Sequence, residues 1–155
     1  MAQQPDPVAL EGPVFGTAEI DVAAPVETVW RVLTDLERWP SWNPDVTSMS
    51  VDGPIAEGTV FRWKAGPGTI VSTVERVDPP HVVAWSGKTL GVKATHVWHF
   101  EQQGETTHVR TEEALRGIVA RVLRGSLQKT LDKALEDGLR NLKAEAERVA
   151  VGTSS

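Results

Sequence analysis

His96 and Glu113 are the two side chains of this 155-residue sequence best placed to move a proton. Each sits in a stretch where apolar and polar residues alternate, Val92 to Gln102 and Thr106 to Leu115, the period of a half-buried strand. If Gln103-Gly104 is a two-residue hairpin turn, Phe100 meets Thr107, Trp98 meets Val109, His96 meets Thr111 and Ala94 meets Glu113 on one face, with Leu115 beyond. That face is the more apolar and is expected inside. His99 opposite His108 and Val97 opposite Arg110 are expected outside, with Glu112. A carboxyl aimed at an apolar interior either takes a raised pKa and serves as acid or base, or pairs with a cation. His96 and Arg62 are the conceivable neighbours of Glu113.

Other chemistries find less support. His96 and His99 have HxxH spacing, but a strand sends them to opposite faces, so a shared metal is disfavoured. His99 and His108 lack an evident third ligand and read as solvated surface. With no cysteine the chain has neither a thiolate nucleophile nor a zinc–thiolate site, and no tyrosine is present as a proton donor. The glycines spell no phosphate-binding or dinucleotide loop, and no nucleophile elbow is present, so no cofactor is expected.

Aromatic residues are the other resource: six Trp and three Phe. Phe61 and Trp63 share one face of a strand, and Val83 and Trp85 share another. With Trp98 these rings either wall a ligand cage or fill the core. Phe61, Trp63, Trp85, His96, Trp98, Thr111 and Glu113 are the expected ligand-binding set.

The elements that position them follow from periodicity. Val14 to Ala23 reads as a first strand. Pro25 opens a short helix carrying Val26, Val29, Trp30 and Leu33, and Asp35 is expected to cap a second short turn that Pro40 stops. Strands are expected at Val46 to Val51, Thr59 to Ala65, Thr69 to Val77 and Val82 to Ser86, followed by the two above. Short Gly- and Pro-rich turns make this an antiparallel meander. From Val119 to Val149 apolar residues recur every three or four positions, a long amphipathic helix whose broad stripe must lie on the sheet. Residues 1–12 and 151–155 read as flexible tails around one domain, 13–150.

This order, strand, two short helices, six strands and a long helix, carries particular local motifs. They are Ala-Pro-Val-Glu-Thr-Val-Trp at 24–30, Leu36-Glu37-Arg38-Trp39-Pro40 before Trp42-Asn43-Pro44, Val77-Asp78-Pro79-Pro80, Thr107 to Gly117, and Leu142-Lys143-Ala144-Glu145. Together they resemble the START-like (SRPBCC) superfamily, in its polyketide cyclase/dehydrase and lipid-transport group. The resemblance implies an α+β helix-grip fold, a curved antiparallel sheet of about seven strands around the C-terminal helix, with a cavity between them. It does not fix an activity, because similar folds serve as carriers, ring-forming enzymes and interaction modules.

The net charge of -5 and the lack of a basic stripe disfavour nucleic acid. The basic residues Arg116, Arg121, Arg124, Lys129 and Lys133 read as the solvated face of the last helix in preference to a surface that binds an anionic membrane. No apolar run approaches the ~20 residues that span a bilayer, and the first residues lack a signal-peptide layout, so a cytoplasmic protein is expected. The leading expectation is a carrier of a small hydrophobic or aromatic molecule, polyketide- or lipid-like, as monomer or homodimer. The alternative is a cyclase/aromatase- or dehydratase-like enzyme in which His96 or Glu113 moves a proton. A third is an interaction module using the fold's surface, which an exposed apolar patch over Trp39 and Trp42 would favour.

Overall fold

The computed structural model describes residues 10–153. Seven antiparallel strands form one sheet: β1 (Val14–Val22), β2 (Ser48–Val51), β3 (Val60–Lys64), β4 (Thr69–Asp78), β5 (Val82–Thr89), β6 (Val92–Gln103) and β7 (Thr106–Arg116). Their order is β1-β7-β6-β5-β4-β3-β2, so β2 to β7 form a meander and β1 closes it beside β7. Helix α1 (Val26–Thr34), a 3-10 turn (Leu36–Arg38) and α2 (Trp39–Trp42) follow β1, and α3 (Ile118–Val122) and α4 (Arg124–Thr153) end the chain. This is the helix-grip arrangement that the family resemblance implied.

Alternation along the strands sets which side faces α4. Val14, Val22, Phe61, Val74, Val83, Trp85, Trp98, Phe100 and Val109 are buried on the inner face, and Leu131, Leu135, Leu139, Leu142 and Ala146 of α4 cover them. Gly16 lets the helix approach, since a Cβ there would lie 2.9 Å from Leu135 Cδ1. Glu75 bulges out of the β4–β5 ladder between Val74 and Arg76, a device that bends a strand and helps a sheet curve.

The β6–β7 register differs from expectation by two residues. His96 lies opposite Glu113, Trp98 opposite Thr111 and Phe100 opposite Val109. The turn is Gly104-Glu105, with Gly104 at φ 64 in the first central position rather than the second. A shift of two preserves the face of every side chain, because the strand period is two. It changes only the neighbours: His108 faces Glu101 rather than His99, and Val97 faces Glu112 rather than Arg110.

Three local expectations are corrected. Pro40 does not stop a turn; it lies in the first turn of α2, where the missing N–H costs nothing. Asp35 makes no side-chain cap bond. The long helix begins as two pieces, α3 and α4, separated at Leu123 (φ -101, ψ 24), although Leu123 N–H still reaches the Val119 carbonyl. Apolar periodicity runs through the break, which hides it from the sequence. At the ends, α4 continues through Val151–Thr153, and Leu10 packs against Ala84 and Val97 on the outer face. Residues 1–9 and 154–155 of the expected tails lie outside the described residues. No described helix is long and apolar enough to cross a membrane.

Candidate functional site

A cavity of about 130 Å3 lies between the inner face of the sheet and α4. Strands β3, β5, β6 and β7 send Trp63, Trp85, His96, Trp98 and Glu113 into its wall, as alternation requires once one face is buried. Helix α4 contributes Ala134, Leu135 and Gly138, and the segment around α2 contributes Trp39, Trp42, Asn43, Asp45 and Val46. A larger hollow of about 420 Å3, beside Leu90 and Gly117, is a surface depression with no buried carboxyl or ring cluster.

Five of the seven expected ligand-binding residues therefore line one cavity. Phe61 does not: it is fully buried, its ring 5.6 Å from Trp85 and 6.3 Å from Trp39, so it supports the wall from behind. Thr111 is also fully buried, and its hydroxyl meets His96 Nε2 at 2.6 Å beneath the wall. The exposed patch over Trp39 and Trp42 that would favour an interaction module is not what the structure places there. Trp39 is buried at the centre of the aromatic cluster, 5.4 Å from Trp63 and 5.5 Å from Trp85, and donates its indole N–H to the Leu33 carbonyl at 2.7 Å. The i, i+3 spacing of the two tryptophans is the sequence signal that both rings face one way from a helical turn.

The polar groups of the wall are few. His96 stands between rings, 5.3 Å from Trp85 and 5.1 Å from Trp98. Its Nδ1 is 3.7 Å from Glu113 Oε1, within ion-pair reach but beyond a hydrogen bond. Thr111 also donates to the Val97 carbonyl at 3.3 Å. Thr111 Oγ1 thus stands between the Val97 carbonyl and Nε2, and Nδ1 is the ring nitrogen that faces Glu113. Burial pushes the Glu113 carboxyl up to about 8 and the His96 imidazole down to about 3, because each charged form would lose its water. At neutral pH the pair is an uncharged acid beside an uncharged base.

Trp98 completes the wall. Its ring is 5% exposed, and its Nε1 is the one buried side-chain donor without a hydrogen-bond partner among the described residues. Trp63, by contrast, donates to Ser72 Oγ at 3.1 Å.

The remaining candidates lie elsewhere. Arg62 pairs with Asp52 at 3.2 Å and is no neighbour of Glu113. Glu112 meets His99 at 3.4 Å and Arg110 at 3.3 Å on the outer face. His108 is held by Asp21 at 2.7 Å and Glu19 at 3.4 Å, contacts that raise its pKa. Among the described residues no three His, Cys, Asp or Glu side chains converge as a metal site would need.

Comparison with known proteins agrees with this fold. A family model described as polyketide cyclase / dehydrase and lipid transport matches residues 16–147. The fold is shared with a Thermus thermophilus protein, TTHA0849, at 24% identity and a TM-score of 0.75, covering 91% of this chain and 99% of that one. It is shared with a START superfamily protein from Mycobacterium smegmatis at 17% identity and a TM-score of 0.70, covering 87% and 98%. A third likeness is to the Zhui aromatase/cyclase from Streptomyces sp. R1128, at 20% identity and a TM-score of 0.70, covering 86% and 93%.

Proposed function

We propose that this chain, which belongs to the polyketide cyclase / dehydrase and lipid transport family, binds a small, uncharged, ring-containing molecule in the cavity walled by Trp39, Trp63, Trp85 and Trp98. The observation that carries the reading is the unpartnered Trp98 Nε1–H. A buried donor left unmade costs about 1 to 3 kcal/mol, and a ligand carbonyl or hydroxyl oxygen that accepted from it would recover that cost. Neutral Glu113 offers a second proton nearby, and indole faces supply apolar contact.

Size and charge narrow the class. A volume of about 130 Å3 is close to that of an apolar cavity that takes one benzene-sized molecule, and it falls below the several hundred Å3 usual for larger ligands. The lining contains Asp45 and Glu113 but no Lys or Arg, so a carboxylate ligand would enter without a counter-ion. The second reading, acid–base catalysis on such a ring, rests on Glu113 titrating near 8 beside an unprotonated His96. A cytoplasmic setting fits either reading.

Titration of single-ring ketones and phenols, followed by Trp fluorescence, tests the proposal. Neutral rings should bind at least about tenfold more tightly than the matching carboxylates, and Trp98→Phe should weaken ketone binding by about tenfold, the worth of one hydrogen bond. Equal binding of the carboxylates, or no effect of Trp98→Phe, would contradict it. Turnover that disappears in both Glu113→Gln and His96→Ala while binding persists would establish the catalytic reading.

A further inference from the structure

The corner built by the β5–β6 turn, the end of β7 and α3 exposes apolar side chains that the cavity does not use. Seven large apolar side chains are exposed among the described residues, and four are here: Ile118 at 82%, Val122 at 73%, Leu90 at 66% and Leu123 at 48%. Single exposed apolar residues are ordinary, but a cluster marks an interaction surface. The β5–β6 turn abuts the start of α3. A Cβ added to Gly91 would lie 2.9 Å from Val119 Cγ2, and one added to Gly117 would lie 2.9 Å from the Gly91 carbonyl oxygen.

The backbone supports the same conclusion. Leu90 has φ 46 and Gly91 φ 78, so the turn needs two left-handed residues, for which Asn-Gly is the unstrained choice. Leucine is held there at a steric cost although its side chain, which leans over Gly68, is 66% exposed.

Charge identifies what the corner meets. Residues 87–100 and 114–131 contain no Asp or Glu, in a chain whose net charge is -5. They carry Lys88, Lys93, Arg116, Arg121, Arg124 and Lys129. Lys88 lies opposite Lys93, and Lys93 opposite Arg116, a registered row of like charges that costs stability unless something anionic lies against it. None of the six forms an ion pair among the described residues. An apolar tip rimmed by cations matches a surface that is anionic outside and apolar beneath. A second copy docked about a twofold axis would set this patch against itself, cation on cation.

We infer that this corner docks on an anionic lipid bilayer, with Leu90, Ile118, Val122 and Leu123 entering the headgroup layer and Lys88, Lys93, Arg116, Arg121 and Arg124 meeting lipid phosphates and carboxylates. The surface lies toward the cavity end of the sheet, where Ala65 precedes the β3–β4 turn and Glu113 stands three residues before the end of β7. Docking nevertheless stands on its own residues, whatever the cavity holds.

Sedimentation of the full chain with phosphatidylcholine vesicles, with and without phosphatidylserine, tests this. Binding should require phosphatidylserine and weaken from low to physiological salt. Arg121→Gln with Arg124→Gln should reduce it about thirtyfold, from the typical contribution of two basic residues at such a surface. Leu90→Asn should raise thermal stability by relieving the turn, yet lower vesicle binding at least about tenfold. Equal binding to both vesicle types, no binding to either, or a Leu90→Asn protein that binds undiminished would overturn the proposal. So would a dimer that dissociates on Ile118→Ser, which would assign the patch to a second copy.

Discussion

Replacing Glu113 by Gln should raise stability at pH 7 by about 2 to 3 kcal/mol and remove the alkaline fall in stability above pH 6.5. The carboxyl titrates near 8 in the fold against an ordinary 4.5, so between those values the folded state holds a proton that the unfolded state has released. Stability contributed by the neutral carboxyl is complete below pH 4.5 and is lost as pH rises toward 8. His96 has the opposite sign. Its pKa falls from 6.5 to about 3, so its contribution is complete above 6.5 and is lost as pH falls toward 3. The two slopes cancel between pH 4.5 and 6.5, which predicts a plateau there with a descending limb on each side. The amide introduced by Glu113→Gln would keep the shape and hydrogen-bonding capacity of the neutral acid, erase the alkaline limb and, with nothing left to cancel the His96 slope, extend the acid limb up to pH 6.5. Urea denaturation from pH 4 to 9 measures both limbs. An alkaline limb that survives the substitution would mean that Glu113 is ionised in the folded protein at neutral pH.

Trp39→Ala should cost about 4 kcal/mol, in the range for deleting a buried aromatic ring. The ring is 4% exposed, touches Trp42, Phe61, Trp63 and Trp85 edge-on or tilted, and anchors α1 through its bond to the Leu33 carbonyl. Trp39→Phe should keep most of the packing and lose that bond, at roughly 1 to 2 kcal/mol. Chemical denaturation of the two variants separates packing from hydrogen bonding. A loss below about 1 kcal/mol for Trp39→Ala would show that the ring is a replaceable lid on the cavity rather than part of its frame.

The fold and the inner face of the sheet are legible in the sequence because strand alternation and helical periodicity are imposed by burial alone. His96, Trp98 and Glu113 can be placed inward even with the wrong hairpin turn, since an error of two residues leaves every face unchanged. Their partners are not legible, because the position of Gly104 within the turn decides the register and both placements satisfy the same pattern. The contribution of α2 is hidden because Pro40 and Asn43-Pro44 suggest a loop, whereas the proline opens a turn that folds Trp39 inward. The break at Leu123 is invisible for a related reason: Val122 and Leu123 continue the apolar period of the helix but face solvent. Periodicity reports which residues can share a stripe, not which surface the stripe meets.

The central claim, that the cavity is a ligand site rather than a packing remnant, can be tested at Gly138. It lines the cavity from α4, and a Cβ there would meet nothing within 4 Å, so Gly138→Leu fills the space while improving helix propensity by roughly 0.8 kcal/mol. Native mass spectrometry with a neutral aryl ketone should show one molecule bound to the natural chain and none to Gly138→Leu, with the variant's melting temperature equal or higher. Equal occupancy in the two proteins, or no one-to-one complex of the natural chain with any neutral ring, would contradict the account.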